Sequence, residues 1–293
     1  MAFSLAPIRY WDVFAETSGP IEKVWVGEFP ILGEKSYQAC ATLRPGLVTG
    51  KPSCSVYGNN DGTGSSPNPA VAQHMAISEA LERWALFGVQ SRGEGRKYGF
   101  DIDPSSNGMA AFPGFRWQAR ARARLEALER FALIGWWNGN FAATRTEMGQ
   151  NIGVVRIQHG TDLGEVALLY RKSPTGYVSY GHAAGRTLAK AVAKAAIEMV
   201  RTEFVLNQYR AGNSAVPVSN YFERRALYFS SPEGHSEFLK KLTSTAARKG
   251  AAWRTAFDGE VKGPWSKWTT VWRHVVELPS YDFLNPQSLC FFW

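Results

Sequence analysis

The sequence has few cysteines and no long hydrophobic run. Its three cysteines, Cys40, Cys54 and Cys290, lie far apart and lack CxxC or Cys/His spacing, so neither a disulfide framework nor a zinc site is indicated. No apolar stretch reaches the roughly 18 residues of a membrane span, and the N-terminus lacks the basic head and apolar segment of a signal peptide. These absences argue against a membrane protein or a secreted disulfide scaffold, and we expect a cytoplasmic protein.

The composition is that of a globular protein. Hydrophobic residues make up 45% of the 293 residues, and 17 Phe, 11 Tyr and 11 Trp supply material for a core. No linker divides the chain, so we expect a single domain over residues 1–293. The net charge of +8 favours anionic partners such as a nucleotide, a nucleic acid or an acidic peptide, because a positive field attracts them.

Hydrophobic periodicity and turn residues predict an α/β, or α+β, fold with a mixed or antiparallel sheet. A glycine- and serine-rich loop at 58–69 ends in Asn68-Pro69, which is a favourable start for a helix. Three apolar segments separated by turn residues indicate an antiparallel meander. The predicted strands are 22–28, 37–43, 152–158, 164–171, 176–181 and 269–276, and the predicted helices are 69–88, 116–135, 187–208 and 233–249.

The segment Glu-Ala-Leu-Glu-Arg occurs twice, at 79–83 and 126–130. Extended to ten residues, the two copies agree at eight positions. In each copy the glutamates are three residues apart and the arginine follows the first glutamate by four, so the three side chains project from one side of a helix. Each copy alone could be an ordinary surface ion pair, worth about 0.3–0.5 kcal/mol. The repetition of the apolar positions as well favours a shared function.

Two such helices facing each other would bring four carboxylates together, which disfavours ionisation unless arginines or metal ions compensate the charge. Magnesium with a polyphosphate is a suitable occupant. Glu198, in the third long helix, would add a fifth carboxylate. The loops Ser106-Asn107-Gly108 and 181–185 (Gly-His-Ala-Ala-Gly) precede helices two and three, where backbone N–H groups can face an anion. Within the second loop, His182 is a candidate contact to substrate or phosphate.

With these motifs in this order, residues 20–280 resemble the YcaO family of ATP-dependent enzymes that activate peptide backbone amides. The resemblance implies a homodimeric YcaO-like fold with glutamate-bearing helices, and the cofactors ATP and Mg²⁺. The implied metal ligands are Glu79, Glu82, Glu126, Glu129 and Glu198. The implied cofactor-binding residues are these five glutamates with Arg83, Arg122, Arg130 and Arg201.

The resemblance further implies a reaction in which a nucleophile adds to a backbone amide and the amide oxygen takes the γ-phosphoryl group of ATP. Such chemistry depends on positioning and charge neutralisation more than on a strong base. We expect cyclodehydration of Cys, Ser or Thr to azolines in a ribosomally synthesised precursor peptide. A partner protein is expected to deliver the peptide. No catalytic side chain is assigned from the sequence.

Several departures from the family pattern leave alternatives open, and three of them concern the predicted site. Met75 stands where serine is usual, Arg122 where a small polar residue is usual, and Arg201 where glutamine is typical. Methionine gives no useful hydrogen bond to phosphate, whereas arginine can bind phosphate or pair with the glutamates. A catalytically degenerate scaffold or partner subunit is therefore the alternative. A nucleic-acid-binding protein that uses the arginine-rich helix is a further one.

Overall fold

The computed structural model describes residues 5–149, 151–212, 218–244 and 249–291. Its contacts divide the chain into two compact units. Unit 1 comprises Met1–Lys51, Asn60–Ala127 and Arg254–Glu277, and unit 2 comprises Pro52–Asn59, Leu128–Trp253 and Leu278–Trp293. The single domain over 1–293 stays a prediction. Among the described residues, no helix combines the length and hydropathy that crossing a bilayer requires.

Unit 1 contains two antiparallel sheets and a long helix. Its elements in chain order are α1 (Ala6–Arg9), β1 (Ile21–Glu28), β2 (Tyr37–Leu43), β3 (Gly62–Ser66), α2 (Pro69–Ser91), β4 (Met109–Phe112), the first half of α3 (Arg116–Trp137), and, from the end of the chain, Thr255–Glu260 and Thr270–Val276. The first sheet has the order β1-β2-β3. In the second, the Thr270–Val276 strand lies between β4 and the Thr255–Glu260 strand.

Unit 2 contains a four-stranded antiparallel meander and the second half of α3. The meander consists of β5 (Ala142–Met148), β6 (Ile152–Gln158), β7 (Glu165–Lys172) and β8 (Val178–Gly185), paired in that order. It is followed by α4 (Leu188–Gly212), α5 (Tyr221–Phe229) and α6 (Pro232–Leu242). The two remaining strands of the chain, in unit 1, are β9 (Thr255–Glu260) and β10 (Thr270–Val276).

The predicted α+β class with antiparallel sheets is confirmed, as are the three long helices. Asn68 begins α2 as expected: its Oδ1 accepts hydrogen bonds from the N–H groups of Ala70 (2.9 Å) and Val71 (3.3 Å). These bonds satisfy two of the backbone donors that a helix N-terminus leaves open. The predicted helix at 233–249 is shorter, since α6 ends at Leu242, and 245–248 lie outside the described residues.

The loop predicted at 58–69 is wrong, because it contains strand β3. Gly62 and Gly64 lie against α2: a Cβ on Gly62 would be 2.1 Å from the Ala76 carbonyl oxygen, and one on Gly64 would be 2.2 Å from that of Ala72. Only glycine permits so close an approach of strand and helix. The glycines that suggest a loop in the sequence therefore serve packing between α2 and β3.

Candidate functional site

The first Glu-Ala-Leu-Glu-Arg segment lies in the middle of α2, in unit 1. Glu79 Oε2 accepts hydrogen bonds from the backbone N–H and the hydroxyl of Thr63, both at 2.9 Å. Its Oε1 lies 3.3 Å from Arg83 Nη2. Glu79 is thus held from two sides, by the neighbouring strand and by its own helix.

Glu82, one turn further along α2, lacks comparable compensation of its charge. Its Oε2 accepts the N–H of Ala111 at 3.2 Å. Loss of hydration on burial, together with the charge of Glu79, raises the pKa of Glu82 to about 8, although Arg83, the Ala111 N–H and Arg122 act in the opposite direction. Glu82 therefore retains its proton at neutral pH, which is typical of a carboxyl group placed where a cation is needed.

Arg273 adds a fully buried cation to unit 1. Its Nη1 donates to the Ser105 carbonyl oxygen at 2.9 Å, its Nη2 donates to the Asp103 carbonyl oxygen, and its guanidinium lies 3.6 Å from the ring centroid of Phe100. Burial lowers its pKa to about 10, against the attraction of three carboxylates. Those carboxylates are Asp103, Glu126 and Glu82. Arg273 fixes the 103–105 loop and also offsets part of the negative charge of the predicted site.

The second Glu-Ala-Leu-Glu-Arg segment begins with Glu126 in unit 1 and continues on α3 into unit 2. Glu129 Oε1 lies 2.7 Å from His182 Nδ1, and Glu129 Oε2 accepts the N–H of Ala184 at 3.0 Å. Burial alone would lower the pKa of His182, but the hydrogen bond and charge of Glu129, with the charge of Glu198, raise it overall. In unit 2 an ionisable imidazole therefore accompanies the carboxylates.

The remaining predicted residues of unit 2 lie on α3 and α4. Arg130 places its guanidinium 5.7 Å from the ring centroid of Phe283. Glu198 is exposed and Arg201 half-buried, one turn apart on α4. Lys194, which precedes Glu198 by one turn, donates from Nζ to the Ala184 carbonyl oxygen at 3.2 Å.

The two copies of the repeat share a structural pattern. In each, the second glutamate accepts a hydrogen bond from the backbone N–H of an alanine: Glu82 from Ala111 in β4, and Glu129 from Ala184 in β8. Both strands immediately precede the next long helix of the chain. The sequence repeat thus corresponds to a repeated way of holding a carboxylate.

Sequence reasoning missed Thr63 and Arg273. Thr63 precedes Glu79 by sixteen residues, and His182 precedes Glu198 by the same number, so a comparison of the two segments could have found it. Both segments are strands, β3 and β8, and the loop predicted at 181–185 is therefore wrong. Arg273 carried a weaker signal, a lone arginine within the apolar segment that forms β10.

The donors present suit a hard cation. Carboxylate oxygens are the ligands that Mg²⁺ prefers, and the raised pKa of Glu82 shows a carboxyl group short of positive charge. Within the described ranges, no three His, Cys, Asp or Glu side chains are grouped closely enough to hold a metal ion by themselves. The assignment of the five glutamates as metal ligands stays a prediction.

Two of the departures from the family pattern lie together in unit 1. Met75 and Arg122 line one open pocket of about 420 Å³, and the Arg122 guanidinium lies 4.4 Å from the ring centroid of Phe112. Arg122 is exposed as a whole residue, but protein atoms surround its guanidinium in the pocket. The resulting loss of hydration lowers the pKa of Arg122.

Structural comparison identifies the fold. The YcaO protein from Methanopyrus kandleri bound with AMPPCP and Mg²⁺ matches with a TM-score of 0.59 and 10% identity, over 95% of this chain and 90% of that one. The chain therefore has a YcaO fold, as the motif resemblance implies. No protein-family model and no curated protein matches the chain.

Two structures of the E. coli microcin synthetase McbBCD complex, one with pro-MccB17 bound, match more weakly. Their TM-scores are 0.45 with pro-MccB17 and 0.43 without it, at 14% and 15% identity, and each match covers 61% of this chain. The chain spans 55% and 56% of the length of these two synthetase chains.

Proposed function

We propose that the protein is an ATP- and Mg²⁺-dependent enzyme that activates backbone amides in a ribosomally synthesised peptide. The expected outcome is cyclodehydration of Cys, Ser or Thr to azolines. The main support is the repeated holding of Glu82 and Glu129 by strand N–H groups, with Glu82 short of positive charge. A protein of the same fold binds AMPPCP and Mg²⁺, which agrees with this cofactor pair.

In this proposal, bound Mg²⁺·ATP supplies the phosphoryl group that the amide oxygen accepts. The chain's own residues hold and orient the glutamate side chains. Thr63 fixes Glu79, the Ala111 N–H fixes Glu82, and His182 with the Ala184 N–H fixes Glu129. Carboxylates fixed in this way meet a cation without reorganisation, which is the condition for electrostatic catalysis of phosphoryl transfer. Arg83 and Arg130 would add positive charge beside the phosphates.

The precursor peptide is the proposed substrate, and a partner protein is proposed to deliver it. A homodimer is proposed as the assembly. The finer assignment of Glu126, Glu198 and Arg201 to the nucleotide site belongs to the same proposal. It rests on their positions in the resemblance. In addition, the charge of Glu126 acts on the buried Arg273, and the charge of Glu198 acts on the imidazole of His182.

Titration calorimetry with ATP, with and without Mg²⁺, tests the nucleotide part. We expect micromolar, Mg²⁺-dependent binding to the wild-type protein, weakened about tenfold or more in Glu79→Gln and Glu129→Gln, because each loses a charged contact. The matched control is Glu237→Gln, which removes an exposed glutamate paired with Lys240 on α6. Absence of binding in the wild type would contradict the proposal.

A second candidate is a scaffold of the same fold without catalysis. Met75, 37% exposed, gives the pocket a thioether where the family pattern has a hydroxyl, and Arg122 lies beside it. Phosphate release from ATP in the presence of the precursor peptide separates the two functions. Binding without peptide-stimulated phosphate release would favour the scaffold.

The ion pairs of α3 speak against nucleic-acid binding. Arg116 Nε lies 2.9 Å from Glu260 Oε2, and the Arg120 guanidinium pairs with Asp258. Acidic residues of β9 therefore neutralise two of the arginines that suggested a basic face. A helix whose arginines are paired in this way attracts phosphate backbones less strongly.

A further inference from the structure

The pocket beside Met75 in unit 1 has a largely apolar lining. The pocket, called the Arg122 pocket below, is open and has a volume of about 420 Å³. Its lining includes Pro7, Val71, Met75, Phe112, Pro113 and Arg122. Val71 is 45% exposed and Met75 37%, so the apolar lining is accessible.

Large exposed side chains flank the Arg122 pocket on two sides. Ile8 (69% exposed) and Trp11 (76%) follow Pro7 in and just after α1, and Phe115 (49%) and Trp117 (58%) follow Pro113. The two sides are joined, because Arg9 Nη1 donates to the Gly114 carbonyl oxygen at 3.5 Å. Several large exposed apolar side chains next to one pocket are typical of an interaction site, and tryptophan is enriched among residues that dominate binding.

Arg122 gives this surface a charge preference. It has no hydrogen-bond or ion-pair partner among the described residues, unlike Arg116 and Arg120 on the same helix. Of the described residues that line the pocket, none is acidic. The positive charge of Arg122 is therefore available to a ligand.

The N-terminus of α2 does not compete for that ligand. The Asn68 side chain already accepts the N–H groups of Ala70 and Val71, and Ser78 Oγ is engaged with the Tyr10 hydroxyl at 2.7 Å. Burial lowers the pKa of His74, so its imidazole is uncharged at neutral pH. Recognition in the pocket thus rests on one guanidinium and an apolar lining.

We propose that the Arg122 pocket and its flanking aromatic residues bind an extended peptide segment in which a carboxylate lies beside a large apolar side chain. The apolar side chain fills the space between Val71, Met75 and Phe112, and the carboxylate pairs with Arg122. The pocket together with its exposed flanking residues, two of which are tryptophans, exceeds what a small ligand covers, and it suits a peptide. A symmetric contact with a second copy is disfavoured, because it would bring two unpaired guanidinium groups together.

This inference rests on the proposed function, since it describes how that enzyme recognises its peptide, and it transfers Arg122 from the nucleotide site to the peptide site. The test is selection from a phage-displayed library of random dodecapeptides on the full chain, without nucleotide or Mg²⁺. We expect enrichment of sequences with Asp or Glu next to Leu, Phe or Trp. The charge reversal Arg122→Glu is expected to change the preference to Lys or Arg.

Arg44→Glu is the matched control, because Arg44 is an exposed arginine of unit 1 that does not line the pocket. It should select the same sequences as the wild type. Fluorescence polarisation then measures the binding of a selected peptide and of its Glu→Lys counterpart to both the wild type and Arg122→Glu. The exchange should weaken binding to the wild type about tenfold or more and restore binding to Arg122→Glu. An unfolded variant cannot gain affinity in this way.

Four outcomes would overturn the inference: no enrichment, enrichment of basic sequences by the wild type, a preference that Arg122→Glu leaves unchanged, or self-association in sedimentation velocity that Trp11→Ser abolishes. The last would assign the surface to a second copy of the chain. Because the selection contains no nucleotide, a failed selection would contradict the peptide site without bearing on ATP binding, which calorimetry tests separately. Loss of ATP binding with intact peptide selection would refute the proposed function alone.

Discussion

The strand–helix pairs β3–α2 in unit 1 and β8–α4 in unit 2 pack in the same way. A Cβ on Gly62 would lie 2.1 Å from the Ala76 carbonyl oxygen and 2.4 Å from the Ala80 nitrogen. One on Gly181 would lie 2.2 Å from both the Ala195 carbonyl oxygen and the nitrogen of Met199, at equal sequence spacing. In each pair a glycine lets the strand contact the helix backbone.

The residue after each of these glycines shows how the two pairs differ. Thr63 donates to Glu79 on its own following helix, whereas His182 contacts Glu129 on the preceding helix α3. The strand residue of unit 1 therefore holds its carboxylate with neutral donors, and the corresponding strand residue of unit 2 is a group that can carry a proton. The same packing of strand on helix thus occurs beside carboxylates whose hydrogen-bond partners differ in the charge they can carry.

The largest effect is expected when the glycine of each strand–helix pair is replaced by alanine, which tests whether the two pairs are equivalent. Gly62→Ala and Gly181→Ala each force a methyl group into the helix backbone, so each should lower the free energy of unfolding by about 1–3 kcal/mol or more. Urea unfolding measures the change. Gly212→Ala at the end of α4 is the control, since its Cβ would meet nothing within 4 Å. A costly Gly62→Ala with a tolerated Gly181→Ala would show that the pairs are not equivalent.

The next largest difference is expected from neutralising the second glutamate of each repeat, which should change the stability of the protein differently in the two units. At pH 7, without nucleotide, Glu82→Gln removes the cost of keeping a proton on a carboxyl group that ionises in the unfolded chain, so the unfolding free energy should rise rather than fall. Glu129→Gln removes the charge that faces His182 and should cost about 1–3 kcal/mol. Glu237→Gln, in an exposed ion pair, controls for the chemical change. Equal losses in both variants would contradict the difference in charge balance.

The sequence predicts the long helices and three of the four meander strands because their signals are local. Asn68-Pro69 marks the start of α2, and apolar segments bounded by turn residues mark β6 and β7. Strand β3 has the opposite local signal, since Gly-Thr-Gly-Ser-Ser favours a loop. Its strand conformation comes from pairing with β2 and from close packing on α2, which are contacts between residues distant in sequence.

The candidate site shows the same division. The glutamates were found from their repetition, a local pattern on α2 and α3. The backbone N–H groups of Thr63 and Ala111 that hold these glutamates could not be found in that way, because a backbone N–H carries no side-chain signature. The raised pKa of Glu82 likewise depends on burial, which only the fold defines.

The pH dependence of stability distinguishes Glu82 from His182. The pKa of Glu82 rises from 4.5 to about 8 on folding, so the stability from its protonated form is lost as pH rises through that range. The pKa of His182 is raised from 6.5, so its contribution is complete below pH 6.5 and lost only above it.

Urea unfolding between pH 5 and pH 9 should therefore separate two variants. Relative to the wild type, Glu82→Gln should flatten the decline already between pH 5 and 6.5, and His182→Asn, which keeps a donor, should alter it only above pH 6.5. Identical profiles would mean that the two units do not differ in this respect.

The smallest changes in stability are expected from substituting the arginine at the end of each Glu-Ala-Leu-Glu-Arg segment. Arg83 forms a partly exposed pair with Glu79, so Arg83→Gln should cost only about 0.3–0.5 kcal/mol of stability. Arg130 lies over Phe283, and Arg130→Gln should cost about 0.5–1 kcal/mol. Thermal unfolding with and without Mg²⁺·ATP gives both stability and binding. If the repeat serves the nucleotide, both variants should lose more of the ligand-induced stabilisation than of intrinsic stability. A loss confined to Arg83 would assign the nucleotide to the first copy alone.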